Sequence, residues 1–113
     1  MIIATCRDLN LLDSAVRRPG RLDTCIPVAL PDAPARAAIV DLNLRRMPAA
    51  QHLAGSPSAA VLVAQTDGLT GADIESVCRE AAFLALRENV DAQTLQAVHL
   101  TTALERYTSA TRQ

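Results

Sequence analysis

A mainly α-helical chain, with two short β-strands ahead of four helices, is what this sequence predicts. Three observations carry that reading. Apolar residues recur at the helical period in four separate stretches between residues 33 and 109. Clusters of Pro, Gly, Ser and Asp punctuate those stretches. Two short apolar runs, Ile2–Thr5 and Thr24–Leu30, come first and are too few to make a sheet of their own.

Taken in order, Ile2–Thr5 reads as a buried strand. Leu9–Val16 reads as a short helix, with Asp13 as a candidate cap, ended by the Pro19-Gly20 turn. Thr24–Leu30 reads as a second strand, placed at an edge because Pro27 cannot donate to a ladder. Pro31-Asp32 marks a boundary. Asp32 can cap a helix over about Ala33–Arg46, with Pro34 tolerated in its first turn. Its apolar face is read as Ala35, Ala38, Ile39 and Leu42, running on to Arg46 with Leu44 at the flank. A turn-rich linker, Met47–Ser58, precedes a short helix over Ser58–Gln65 through Val61, Leu62 and Ala64. The strongest helix spans about Ala72–Asn89, where Ile74, Val77, Cys78, Ala81, Leu84 and Ala85 repeat at the helical spacing. Thr70 is its candidate cap, and Asp73 is favourable in the first turn. A last helix over about His99–Ser109 presents Leu100, Ala103, Leu104 and Tyr107 on one face.

Composition excludes several function classes. Net charge is −1, so nothing electrostatic argues for direct nucleic-acid binding or for an anionic membrane. No apolar run approaches the roughly 18 residues of a membrane span, and the first residues do not read as a signal peptide. Cys6, Cys25 and Cys78 are odd in number and not spaced for zinc, which favours free thiols in the cytoplasm or nucleus. His52 and His99 have no Cys or acidic partner at ligand spacing, and both read as surface residues; no metal site is expected. All 11 basic residues are arginine. The phosphate cradle G-x-x-x-x-G-K-[ST] requires a lysine that reaches the β- and γ-phosphates, so these residues cannot contain it. No two acidic residues are adjacent either, which leaves no Asp-Glu pair to hold magnesium.

Three blocks of sequence resemble the carboxy-terminal part of an AAA+ ATPase module of the AAA type, over nearly the whole chain. Ala4-Thr5-Cys6-Arg7, continuing through Leu12-Asp13 to Arg17-Arg18-Pro19-Gly20-Arg21-Leu22-Asp23, resembles the second region of homology. Val28-Ala29-Leu30-Pro31-Asp32, with Arg36 and Ile39-Val40, resembles the crossing into the lid. Gly68-Leu69-Thr70-Gly71-Ala72-Asp73-Ile74, continuing to Arg87-Glu88, resembles the lid helix that opens G-x-[ST]-G-A-D-[IL]. The wording is most similar to the second modules of valosin-containing-protein-like and spermatogenesis-associated ATPases. The resemblance implies that residues 1–31 are the end of an α/β P-loop core and that residues 32–110 are a four-helix lid.

The resemblance also assigns roles. Arg18 and Arg21 align with the family's two arginine fingers, which reach the nucleotide of an adjacent subunit. Cys6 falls at the sensor-1 position when counted forward from Ala4-Thr5, and Arg7 when counted back from the arginine loop. A thiol is a weak hydrogen-bonding group, so a Cys6 sensor implies weakened water positioning. Gly71 and Ala72 are implied to lie near adenine and ribose, and Asn43 stands where relatives often carry an adenine-side His. Asp23 is expected to hold the loop of Arg21, and Arg36 to brace the junction. The whole module is expected to use ATP with Mg²⁺, within a hexameric ring of AAA+ subunits that remodels or unfolds protein or ribonucleoprotein substrates. Without the cradle, this chain alone is expected to bind no such cofactor and to hydrolyse nothing. The alternative is a truncated, non-enzymatic module that docks on a full-length AAA ATPase.

Overall fold

The computed structural model describes residues 1–111, and it is mainly helical. Four α-helices carry the fold: α1 (Ala33–Arg46), α2 (Pro57–Ala64), α3 (Gly71–Glu88) and α4 (Ala97–Thr111). The starts of α1, α2 and α3 have local causes. Asp32 accepts from the Ala35 amide, and Pro34 occupies the first turn of α1. Ser56 accepts from the Ala59 amide, and Pro57 opens α2. Thr70 and Asp73 form a reciprocal capping box at α3, with each side chain taking the other's backbone N–H.

Helix α3 is the centre of the core. Ile74, Val77, Cys78, Ala81 and Ala85 are buried along one stripe, as their spacing predicts. Helices α1 and α4 both pack against α3, and α2 closes against α1 and α4. From α4 come Leu100, Ala103 and Leu104. Leu95, in the α3–α4 connection, is 1% exposed, and its amide donates to the Ala49 carbonyl at 2.8 Å. That bond ties the connection to a 3-10 turn over Pro48–Leu53, whose Ala50 and Leu53 are also core.

Four expectations are corrected. The buried face of α1 is Arg36, Val40 and Leu44, not the Ala35–Leu42 face; Leu42 is 48% exposed. An alanine-rich helix offers more than one apolar stripe, and the position of α3 decides between them. Arg36 lies on the inner face because its stem packs there while its head bonds outward: Nη1 donates to the Pro31 carbonyl at 3.1 Å and pairs with Asp67 at 3.5 Å. Its Nε is buried without a partner. Second, His99 is buried rather than superficial. Its Nδ1 accepts from the Gln96 amide at 3.0 Å, so Nε2 carries the proton and donates to Glu88 at 2.7 Å, stapling the end of α3 to the start of α4.

Third, neither Ile2–Thr5 nor Thr24–Leu30 is a strand, and no β-ladder occurs among the described residues. A strand exists through its hydrogen-bonded neighbour, and no neighbouring segment pairs with either run. Fourth, Leu9–Val16 is not one helix but two 3-10 turns, Leu9–Leu11 and Ser14–Arg17. Asp8 and Asp13 each accept a backbone N–H two residues on, and Leu12 between the turns is extended. Such local side-chain bonds compete with a continuous helix. Every core residue lies between Arg36 and Leu104. The radius of gyration is 18.1 Å, whereas a compact domain of this length has about 13 Å. Residues 1–31 therefore extend beyond the helical core.

Two substitutions on α1 discriminate its faces. Leu44→Ala should lower unfolding free energy by about 2–5 kcal/mol. Leu42→Ala should change it by no more than about 0.5 kcal/mol. Chemical denaturation of both variants measures this, and equal losses would restore the face first read from the sequence.

Candidate functional site

The arginine loop is held by its own backbone. Asp13 caps the 3-10 turn Ser14–Arg17, and the Arg21 amide then donates to the Arg18 carbonyl at 3.1 Å, closing a β-turn. Pro19 fits the first central position of that turn. Gly20 takes φ 85° at the second, where a left-handed backbone favours glycine; a Cβ there would touch nothing, so conformation and not space requires it. The Leu22 amide donates to the Val16 carbonyl at 3.1 Å and closes a wider ring around the turn. Asp23 accepts from the Gly20 amide at 3.3 Å, so it does hold the loop.

The two candidate arginines differ. Arg21 Nη1 donates to the Ala15 carbonyl at 3.0 Å, folding that side chain back over its own loop. Arg18 is exposed, and its guanidinium has no hydrogen bond or ion pair among the described residues. Arg21 is a brace with donors to spare, and Arg18 is a free fork.

The second element is the start of α3. The capping box uses the Thr70 and Asp73 amides, while those of Gly71 and Ala72 donate to nothing among the described residues. Two free N–H groups at a helix start favour an anionic or acceptor ligand. Gly71 faces Ile39 of α1: a Cβ at Gly71 would lie 3.7 Å from Ile39 Cδ1. Asn43 stands one turn beyond Ile39, half-buried, and its amide nitrogen donates to the Ile39 carbonyl at 2.8 Å. Gly71 and Ile39 are thus brought together, with Asn43 one turn further along α1. The arginine loop contributes no residue to the core.

Cys6 is exposed in the extended segment, and the structure gives it no partner. Cys78 is buried, and desolvation, helped by nearby Glu75, pushes its thiol up to about 11, so it is an inert core residue at neutral pH. Among the described residues, no group of three or more His, Cys, Asp or Glu side chains gathers as a metal site. No helix among them is long and apolar enough to cross a membrane. An open groove between α3 and α4, lined by Ser76, Arg79, Glu80, Phe83, Arg106 and Tyr107, includes none of the candidate residues.

The sequence profile of the AAA+ lid domain matches residues 59–101. The human ATPase family gene 2 protein homolog A is 40% identical over 107 residues, covering 95% of this chain and 12% of that protein. The ATPase family protein 2 homolog of Caenorhabditis elegans is 37% identical over 111 residues, covering 98% of the chain and 15% of that protein. The cell division cycle protein 48 homolog of Archaeoglobus fulgidus is 42% identical over 88 residues, covering 78% and 12%. The chain therefore spans between 12% and 15% of the length of these relatives.

Sequence reasoning placed Tyr107 on the apolar face of its helix and missed its polar end. The Tyr107 hydroxyl donates to Asp73 Oδ1, across 34 residues. That bond, then the Thr70 amide, holds the Asp73 carboxyl below its ordinary 3.8 against a smaller desolvation effect. The same bond, followed by burial and the carboxylate charge, raises the Tyr107 phenol above 10.0. The signs differ. The Asp73 contribution to stability is whole above 3.8 and drains away as pH falls through the lowered folded value. The Tyr107 contribution is whole below 10.0 and is lost as pH rises through the raised folded value. Denaturation profiles should fall at both ends, and Tyr107→Phe should remove the Tyr107 share of the alkaline loss, leave that of the buried Cys78 thiol, and return the Asp73 carboxyl toward 3.8. Carboxyl NMR titration between about pH 5 and pH 1 checks the acid side.

Proposed function

The chain belongs to the AAA+ ATPases, and from that premise we propose that it is the working end of a ring ATPase subunit. In this reading residues 1–31 finish the α/β core and residues 32–110 are its lid. The complete subunit couples ATP binding and hydrolysis to remodelling or unfolding of protein or ribonucleoprotein complexes within a hexamer. The observation that carries the reading is the Arg18-Pro19-Gly20-Arg21 turn, with Arg18 free and its base fixed.

A guanidinium suits the task because it stays charged and donates in a planar fork. Offered to a neighbouring subunit, Arg18 would meet the transferring phosphoryl group as charge spreads over its oxygens. Such a residue is worth about 10³–10⁵ in rate. Arg21 keeps the turn in place through Ala15 and can add a second contact with its remaining donors. The 113 residues lack a lysine, so the cradle for the subunit's own triphosphate is not among them.

The fit to nucleotide is partial and specific. Gly71 and Ala72 offer two free amides with no Cβ crowding at Gly71. The Asn43 amide nitrogen is spent on Ile39, leaving its oxygen as an acceptor for an exocyclic amine such as that of adenine. These residues would hold the base and ribose side of ATP. Among the described residues, no carboxylates gather for Mg²⁺. ATP with Mg²⁺, when bound by the complete subunit, supplies the phosphoryl group whose transfer the arginines assist. Cys6 or Arg7 would occupy the sensor-1 place, and a thiol there would orient water weakly. Exposed free thiols at Cys6 and Cys25 suit the cytoplasm or nucleus.

Arg18→Ala in the assembled ATPase should cut ATP turnover by about 10³-fold or more while nucleotide binding persists. Arg18→Lys should not rescue it, because a point charge lacks the fork. Undiminished turnover in Arg18→Ala would overturn the assignment. The chain alone, titrated with Mg-ATP, should show no tight binding. Adding it to a ring whose own fingers have been removed tests the second reading, a docking module: recovered turnover would favour that module.

A further inference from the structure

We propose that Tyr107 is a positioning residue for the Thr70–Ala72 turn, setting through Asp73 the two amides that this turn presents to nucleotide. The inference rests on the reading above, in which Gly71 and Ala72 face the base and ribose.

The argument starts from the carboxylate. Asp73 Oδ2 accepts from the Thr70 amide at 2.8 Å, and the Asp73 amide donates to Thr70 Oγ1 at 3.1 Å. A capping box of that kind fixes one carboxylate oxygen and leaves the other unclaimed. Here the other oxygen is taken by the Tyr107 hydroxyl. With both oxygens engaged, the plane of the carboxylate is set. It cannot turn toward the amides of Gly71 or Ala72, which therefore stay open to a ligand. Remove the hydroxyl, and the carboxylate regains a rotation that brings it into competition with any acceptor placed there.

The source of the hydroxyl matters as much. Tyr107 lies one turn past Leu104 on α4, and α4 is seated on α3 by Leu100, Ala103 and Leu104. A tyrosine side chain has only two rotatable angles, so its hydroxyl follows the helix that carries it. Any shift of α4 along α3 moves the hydroxyl and releases Asp73. The turn and α4 are thereby linked: nucleotide at the turn favours the seated α4, and a displaced α4 weakens nucleotide by the same factor. Thr70, Asp73 and Tyr107 make this link without Arg18, so it can fail or hold independently of the finger.

Tyr107→Phe is the test, because it removes the hydroxyl and keeps the ring. In the chain as it stands, the amide signals of Thr70–Asp73 should shift and exchange several-fold faster, with helix content unchanged. In the complete ATPase, KM for ATP should rise several-fold with kcat preserved; a merely structural role would lower kcat along with the melting temperature. Asp73→Ala removes the carboxylate that would compete, so adding Tyr107→Phe to it should raise KM no further. Unmoved amides, or an additive double variant, would overturn the proposal. Moved amides with unchanged KM, in a ring where Arg18→Ala still abolishes turnover, would overturn it and leave the functional reading intact. Unchanged KM together with a harmless Arg18→Ala would mean that the functional reading itself has failed.

Discussion

The buried stripe of α3 is the constraint on which the rest of the chain depends. Ile74, Val77, Cys78, Ala81 and Ala85 serve two interfaces at once, one with α1 and one with α4. The chain has no tryptophan, and its single Phe, Phe83, is 49% exposed. The core is therefore built from Leu, Ile, Val and small residues. Its cohesion comes from close approach of backbones, which Cys78, Ala81, Ala85 and Ala103 permit, and less from large apolar area per residue. A core of this kind fixes the relative seating of helices closely, because small buried residues such as Ala81, which is fully buried, let the helices meet at short range. The start of α3 inherits that precision, and so does the pair of free amides at Gly71 and Ala72.

The arginine loop obeys a different rule. It contributes nothing to the core, yet its geometry is determined by bonds within residues 13–23. Asp13, Gly20, Asp23 and Arg21 each satisfy a neighbour a few residues away. A loop made this way keeps its shape whatever lies beside it. The apolar residues that flank it, Ile2, Ile3, Ile26 and Val28, are each more than three-quarters exposed. Under the proposed reading those side chains belong against the α/β core of the complete subunit.

What could be read from the sequence divides along the same line between local and distant causes. The caps Asp13, Asp32 and Thr70, the Gly20 turn and the stripe of α3 depend on residues within a few positions, and each forms as read. The inner face of α1 depends on where α3 lies. Arg36 hid it, because a charged residue at the first position of the Arg36–Val40–Leu44 stripe reads as solvent-facing. The strands failed for want of partners, although their composition was right. The burial of His99 and the reach of Tyr107 to Asp73 join residues 11 and 34 positions apart, and no spacing rule announces either. At the candidate site, the sequence singles out Arg18 and Arg21 alike. It did not tell that Arg21 is spent on its own loop while Arg18 is not.

Under the proposed reading, that asymmetry has a physical logic. An arginine that serves a neighbour must be placed by its own subunit and stay unbound until the neighbour's charge arrives. Holding the guanidinium itself would satisfy its donors and weaken its attraction for phosphate; leaving the whole loop free would add an ordering cost at each engagement. The loop separates the two demands. Pro19 and Gly20 restrict the backbone, Arg21 spends one donor to secure it, and only the side-chain torsions of Arg18 remain to be ordered on contact. Arg21 could not take both roles equally well, because leaving the Ala15 carbonyl would loosen the base from which it reaches. On that reading the free fork and the bound fork are complementary parts of one device, and exchanging them would cost the loop either its rigidity or its reach.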